Sequence, residues 1–294
     1  MSEKRERLGY LGPQGTHSEA AAIYLCQAIE RAGQPVPELV PYGEIYDVLQ
    51  AVDDGEVDSG LVPVENSLEG SINITLDTLA HSEQEHVIAR ELVWPVRNNL
   101  LARSREAAIT RIYSHAQPIS QCRSYLQQHQ PQAELVKTAS TARAAQIVAE
   151  APADSGWAAI GTARAAQLLG LEVIARDIQD NMANATRFFE VRRRDHAAGL
   201  PLLPYEKMVV ICQLASNEAG ALCGVLEEFA RRHVNLNRIE SRPARTRLGT
   251  YIFFFELETN SAPEGIAPAL EALKGHTAWL KDLGRFPVIT AQRE

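Results

Sequence analysis

Across residues 8–191 the chain alternates short apolar runs of strand character with amphipathic stretches of helical period, and no other feature restricts its fold as tightly. Residues 8–11 read as a strand, 12–15 as a turn, and 18–31 as an alanine-rich helix stopped by Gly33. The order continues with strand 36–40, helix 45–53, and an apolar strand 59–64 that ends at Glu65-Asn66-Ser67. Helices are expected at 74–81 and 118–130, with strands at 86–93 and 112–114. Strand 135–138, helix 140–149 capped by Ser140, strand 158–161, helix 162–169 and strands 173–178 and 186–191 complete the series. Repeated strand–helix units place helices on the faces of a largely parallel sheet, and such sheets bind ligands at the carboxyl ends of their strands.

The pattern breaks over residues 192–206, which carry three arginines, a glycine and two prolines without periodicity. They read as an interdomain linker, with the arginine triplet as a solvated face. Beyond lie strand 208–215, helix 219–232, strands 236–241 and 249–257, helix 265–273 and a strand near 286–289. That βαββαβ order is ferredoxin-like. Two domains are therefore expected, 7–191 and 207–290.

Composition removes several classes of function. Hydrophobic residues make up 45% and charged residues 22%, an ordinary globular balance. No stretch reaches the ~18 apolar residues of a membrane span, and the polar start lacks the apolar region of a signal peptide, so a cytoplasmic protein is expected. The net charge of -8 disfavours nucleic acid and anionic membranes as partners. Cys26, Cys122, Cys212 and Cys223 form no Cys-x-x-Cys pair, which disfavours a disulfide framework or zinc site and leaves them as small buried hydrophobes.

Six strings carry chemistry. Gly9-Tyr10-Leu11-Gly12-Pro13-Gln14-Gly15-Thr16-His17-Ser18-Glu19 sets glycines and hydroxyls between the first strand and helix, where backbone N–H groups and the helix dipole receive an anion. A plain tight turn is the other reading. A dinucleotide site is disfavoured, because the glycines run G-x-x-G-x-x-G around a proline and no acidic residue closes the next strand at Val40-Pro41-Tyr42. In Val62-Pro63-Val64-Glu65-Asn66-Ser67-Leu68-Glu69-Gly70-Ser71, Asn66 or Ser67 suits a helix cap. In Tyr113-Ser114-His115-Ala116-Gln117-Pro118-Ile119-Ser120-Gln121-Cys122, His115 by itself suits a hydrogen-bonded structural histidine. A Cys–His nucleophile is disfavoured, since Cys122 falls inside a packed helical stretch, and no residue pair has metal-ligand spacing. Asp180-Asn181-Met182-Ala183-Asn184-Ala185-Thr186-Arg187-Phe188-Phe189-Glu190-Val191 gathers a hydroxyl, a guanidinium, carboxamides and rings at the mouth of an apolar strand, which suits a small anionic, aromatic-like ligand. Arg187 fits either bidentate carboxylate binding or a salt bridge, and Phe188 either water exclusion or the core. Last, Asn217-Glu218-Ala219-Gly220-Ala221-Leu222 opens a helix and Asn235-Leu236-Asn237-Arg238-Ile239-Glu240-Ser241-Arg242-Pro243 ends a strand.

In order and spacing these strings resemble the prephenate dehydratases with a C-terminal ACT domain, over nearly the whole chain. His17 stands where that family carries Phe or Tyr, and Ala219 where many members carry proline. The resemblance implies an α/β fold: a two-lobed catalytic domain like the type II periplasmic-binding-protein fold, followed by the ferredoxin-like ACT domain. Lobe 1 is expected at about 7–79 and 158–191, lobe 2 at about 80–157, with the cleft between them. It implies decarboxylative dehydration of prephenate to phenylpyruvate with no cofactor, by the monofunctional form, since the chain starts directly at the first string. Thr186, Arg187, Phe188, Asn66, Ser67 and His115 are the implied catalytic residues, with Thr186 bonding the leaving oxygen and relaying a proton from water or from His115. Gly15, Thr16, Ser18, Glu65, Ser114, Gln117 and Asn184 are implied to bind substrate. Gly220, Ala221, Leu222, Asn235, Glu240, Ser241, Arg242 and Pro243 are implied to hold an L-phenylalanine effector in a homodimer or homotetramer. Arogenate is a rival substrate. A non-catalytic amino-acid sensor and an NAD-dependent prephenate dehydrogenase are rival functions, the latter disfavoured by the glycine spacing.

Overall fold

The computed structural model describes residues 5–197 and 204–292, so residues 198–203 of the expected linker lie outside the described residues. The chain opens with strand β1 (Arg7–Leu11), helix α1 (His17–Arg31), β2 (Glu38–Tyr42), α2 (Ile45–Asp53), β3 (Ser59–Asn66), the two-residue β4 (Gly70–Ser71), α3 (Asn73–His81) and β5 (His86–Pro95). Buried on both faces, β3 is a nearly unbroken apolar run. Its Gly60 lets α2 lie close, because a Cβ there would stand 2.8 Å from the Val48 Cγ1 atom.

Three residues after β5 the chain enters a second sheet through β6 (Asn99–Ala102), β7 (Arg111–Ser114), α4 (Ala116–Gln121), α5 (Arg123–His129), β8 (Glu134–Lys137), α6 (Thr141–Glu150), β9 (Trp157–Gly161), α7 (Ala163–Leu169) and β10 (Glu172–Ala175). It then returns along β11 (Ala185–Arg193). The first sheet has the order β5-β11-β3-β1-β2, and the second β10-β6-β9-β7-β8. The lobe boundaries therefore differ from the expected ones: β5 belongs to the first lobe, and β9, α7 and β10 to the second. The crossings fall at 96–98 and 176–184, where Val96 N–H donates to Asn184 O at 2.9 Å and Ile178 N–H to Asn98 O at 2.9 Å. Helix periodicity marks elements, but it does not say which sheet a strand joins.

The first sheet is mixed rather than largely parallel. A strand returning from the other lobe enters at the carboxyl ends of β3 and β5, so β11 runs antiparallel to both. On one face α1 covers Leu8, Tyr10, Leu61, Leu92 and Phe188. On the other lie α2, α3 and the third sheet. The expected helix 118–130 is two helices, broken at Cys122 (φ -111, ψ 20).

The C-terminal region supplies β12 (Lys207–Leu214), α8 (Ala221–Ala230), β13 (Leu236–Pro243), β14 (Tyr251–Glu258), α9 (Pro263–Leu273) and β15 (Thr277–Phe286) in a sheet of order β13-β14-β12-β15. Helices α8 and α9 cover one face. The other packs Val209, Ile211, Ile252 and Phe254 against the first lobe. Two expectations change here. The last strand of this sheet is β15, obscured in the sequence by Lys281, Asp282, Gly284 and Arg285, while the segment near 286–289 leads into β16 (Val288–Thr290). That strand pairs parallel with β5, covering the edge of the first sheet.

The arginine triplet is a solvated face only at its end, where Arg194 is exposed. Arg192 continues β11, is buried, and bonds Glu190 (3.0 Å) and Glu6 (2.9 Å) beside the Arg90–Glu190 pair. Burial pushes the Glu190 carboxyl up, but Arg90 and Arg192 outweigh it and hold it below its ordinary range. Cys26, Cys122 and Cys212 are buried as expected, whereas Cys223 is exposed on α8. Among the described residues no helix is long and apolar enough to cross a membrane.

Candidate active site

The end of β3 and the start of β11 lie side by side, with Asn66 opposite Thr186. The Asn66 carboxamide is fixed in orientation from below: its Oδ1 accepts the Leu68 and Glu69 N–H groups at 3.0 and 3.2 Å, closing an Asx turn. Its Nδ2 must then be the donor, and it reaches Thr186 Oγ1 at 3.0 Å and Asn184 Oδ1 at 2.9 Å. Ser67 ties the same loop to β11, its Oγ accepting the Ala185 N–H at 3.0 Å. Thr186 thus receives a hydrogen bond while its own proton stays available to a ligand.

The polar chain continues across both crossings. Asn184, 1% exposed, donates to Gln121 Oε1 at 3.2 Å, and Asn98 donates to the same oxygen at 3.4 Å. The Asn98 Oδ1 takes a bond from His17 Nε2 at 3.3 Å. Burial lowers the His17 pKa, so the ring is neutral at pH 7 and carries its proton on Nε2. Residues of lobe 1, lobe 2 and both crossings are in this way joined from Thr186 to His17. Gln121 and Asn98 were not singled out in the sequence. Gln121 stands in a quoted string, but only the break after α4 shows that it faces Asn184.

Beyond His17 lies an interlobe crevice of about 610 Å³, lined among others by Tyr24, Trp94, Arg97, Arg164, Arg176 and Asp177. Among the described residues no group of three or more His, Cys, Asp or Glu is placed to hold a metal ion.

Other candidates stand elsewhere. Phe188 is 1% exposed, in the core beneath α1, and does not face the cleft. Arg187 points to the opposite face of the sheet from Thr186, toward the C-terminal region, because neighbouring strand residues alternate sides. There it pairs with Glu65 (2.7 Å), Glu91 (2.7 Å) and Glu256 (2.6 Å). Four of its N–H groups are spent on these carboxylates and Glu65 shares the cluster, so the charges of both are balanced within the chain. Burial pushes the Glu256 carboxyl up, but Arg187 and Lys207 outweigh it and hold the pKa below 4.5.

Thr16 caps α1, its Oγ1 accepting the Glu19 N–H at 3.3 Å and donating to Pro13 O at 2.9 Å. The Gly15 N–H is taken by the Glu19 carboxylate at 2.6 Å, which supplies the anion of this helix N-terminus from within the chain. Gly15, at φ +87, touches lobe 2: its carbonyl accepts the Thr162 hydroxyl at 2.8 Å, and a Cβ would stand 3.3 Å from that of Ala165. Ser18 is buried in the first turn of α1. Ser114 is fully buried and donates to Ile160 O at 2.9 Å, a strap inside the second sheet. His115 caps α4 by accepting the Gln117 N–H at 3.5 Å, about 9 Å along the helix axis from Gln121. The structure thus gathers Thr186, Asn66, Ser67 and Asn184 of the predicted set, and sets Gly15, Thr16, Ser18, Ser114, His115 and Gln117 on the flanking helix and strand ends. Burial raises the Cys122 thiol to about 12, with Asp180 adding to it, which removes it as a nucleophile.

In the C-terminal region Gly220 (φ +93) starts α8, with Ala221 and Leu222 half-buried behind it. Asn235 is spent on Glu258 at 2.9 Å. Ser241 and Pro243 are exposed on β13, but Glu240 and Arg242 turn the other way, onto Ser71 and Asp77 of the first lobe. They do not share the face of Ser241 and Pro243, with which the resemblance grouped them.

Comparison with known proteins gives the arrangement a context. A family model described as prephenate dehydratase matches residues 8–196, and one described as ACT domain matches residues 208–275. The chain is 38% identical over 283 residues to a prephenate dehydratase of Lactococcus lactis subsp. lactis, covering 96% of this chain and 98% of that one. A crystal structure of prephenate dehydratase in complex with L-Phe from Arthrobacter aurescens is 35% identical with a TM-score of 0.83, covering 96% and 90%. A structure described as GqqA, a novel type of quorum quenching acylase, is 26% identical with a TM-score of 0.77, covering 97% and 98%.

Proposed function

Because this chain belongs to the prephenate dehydratase family, we propose that it converts prephenate to phenylpyruvate at the cluster around Thr186, and that L-phenylalanine controls it through the C-terminal domain. In the reaction the bond between the ring and its carboxylate breaks, releasing CO₂. The freed electron pair enters the ring, and the 4-hydroxyl departs, taking up one proton to leave as water. Aromatisation supplies the drive, so the protein must orient a dianion and help one oxygen leave.

The observation that carries this reading is the direction of the Asn66–Thr186 hydrogen bond. A threonine hydroxyl titrates far from neutral pH and serves poorly as a free acid. As a donor whose lone pair is already held by Asn66 at 3.0 Å, it is oriented to stabilise charge growing on the leaving oxygen. The proton that completes the water comes from solvent. The neutral carboxamides around it cannot quench a substrate anion, and Gln121 and Asn184 hold the two lobes in register behind it.

The effector reading rests on the ACT family match together with Gly220–Leu222 and the exposed Ser241. The exposed edge strand β13, with Ile239 on it, suits pairing with a second copy, and a homo-oligomer in the cytoplasm fits the composition. The first experiment is turnover of purified protein with prephenate and, separately, arogenate, with no cofactor added, following phenylpyruvate and phenylalanine. Phenylpyruvate from prephenate is expected. Phenylalanine from arogenate at a higher kcat/KM would reassign the substrate, and no product from either would leave a sensor.

Asn66→Asp offers a sharper check of the same geometry. A carboxylate there only accepts, so the Thr186 O–H turns to it and is lost to the substrate. We expect kcat to fall about 10²-fold with KM changed far less. Steady-state kinetics measure this, and wild-type kcat in the variant would remove Asn66 from the mechanism.

A further inference from the structure

Strand β13 has two faces with different duties. Its residues alternate between half-buried and exposed along the whole strand. Arg238, Glu240 and Arg242 share one face with Glu256, Phe254 and Ile252, which lie opposite them on β14 and look toward the first lobe. Ser241 lies opposite Phe253, on the side of α8 and α9.

The inward row meets a single stretch of the first lobe. Arg238 approaches Glu65 at 3.5 Å and bonds the Ser71 hydroxyl, which itself donates to Glu240 at 2.5 Å. Arg242 takes Asp77 in bidentate fashion at 3.1 and 2.9 Å, and Asp77 is only 4% exposed. Farther along, Lys281 of β15 donates to Ala80 O and Ser82 O at 2.8 and 2.6 Å, capping the carboxyl end of α3. Everything gripped by these four side chains lies within residues 65–82, while Glu256 of the same face holds Arg187 at 2.6 Å. Asn66 lies in that stretch, and the small hairpin that holds it pairs Asn66 with Gly70 and Glu65 with Ser71.

We propose that Glu240 and Arg242 are positioning residues for Asn66, and that an effector on the outward face of β13 changes turnover through this clamp without touching either side chain. The proposal rests on the enzymatic and effector reading given above. A shift of the strand by a fraction of an ångström on one face is handed to the hairpin on the other, because bidentate and charge-assisted contacts leave little slack. The exposed row then senses, the buried row transmits, and the carboxamide that holds Thr186 receives.

The test uses the full chain with Asp77→Asn, a near-isosteric change far from the outward face. L-phenylalanine binding is read by calorimetry and inhibition by kinetics. Coupling between sites is ordinarily about 5- to 150-fold. We expect phenylalanine affinity within about twofold of wild type, coupling reduced to below about threefold, and a lower kcat at nearly constant KM. Asp77→Glu, which restores the carboxylate, should recover part of the coupling. Weakened phenylalanine binding with undiminished inhibition at saturation would overturn the proposal, since it would return Arg242 to the effector site. Unchanged coupling in a folded variant would overturn it as well. A wild-type chain that makes no phenylpyruvate defeats the enzymatic reading and the clamp with it, whereas an active wild type with a fully coupled variant defeats the clamp alone.

Discussion

Thr186→Ala is expected to leave the fold and substrate affinity nearly intact while lowering kcat by about 10²- to 10³-fold, the usual cost of one preorganised donor to a developing charge. The side chain is small, partly exposed, and linked to its surroundings chiefly through the single bond it accepts from Asn66. Its removal leaves an Asn66 donor that still has Asn184 Oδ1 at 2.9 Å, so no buried group is stranded and stability should barely move. Thr186→Ser keeps the hydroxyl and should retain a measurable part of the rate, while Thr186→Val keeps the shape and should not. Single-turnover kinetics on the three variants, with substrate binding measured separately, check the order. A Thr186→Val enzyme as fast as Thr186→Ser would rule out the hydroxyl.

Arg187→Ala should act on stability. The guanidinium, 17% exposed, is shared by Glu65, Glu91 and Glu256, and Glu91 is completely buried. Removing one partner of a buried ion pair costs about 3–5 kcal/mol, because the charges left behind have lost their solvation and gained nothing. Lys207 remains at 2.9 Å from Glu256 and 3.2 Å from Glu91, which limits the loss without cancelling it. The pH dependence follows in sign. In the native cluster the Glu256 pKa is depressed, so its stabilisation is complete above the ordinary value of 4.5 and is lost as the pH falls through the lower folded value. Without Arg187, burial of Glu256 is opposed by Lys207 alone and that carboxyl rises, so its protonation relieves the variant. The gap between variant and wild type should be widest near pH 7 and shrink toward pH 5. Thermal melts at both pH values read it, with a fall on the order of 10 °C expected near neutrality. A melt unchanged at pH 7 would mean that the cluster contributes no net stability.

These two neighbours also show what a sequence can and cannot tell. Thr186 and Arg187 share one string, and both were expected at the site. Strand geometry sends consecutive side chains to opposite faces, so one faces the carboxamide cluster and the other the C-terminal domain. The string contains both chemistries, but only the pairing of β11 between β3 and β5 says which face is which. The same alternation divides β13, where the resemblance grouped Glu240 and Arg242 with Ser241 although they point away from it.

Local periodicity and turn chemistry determined most of the elements, the α/β class and the ferredoxin-like module, since those signals are carried by residues a few positions apart, while the family came from the resemblance of the quoted strings. The Ser140 cap was legible for the same reason, its oxygen meeting the Arg143 N–H three residues on, while the like caps at Thr16 and Thr162 emerged only in the structure. What the tertiary structure decided were matters of long sequence separation. They include the lobe in which β5 and β9 lie, the return of β16 to the first sheet, the burial of Arg192, and the joining of Asn66 to Asn184 across 118 positions. Such contacts depend on which faces meet after the sheets form, and that is fixed by the summed burial of many residues and by no local string.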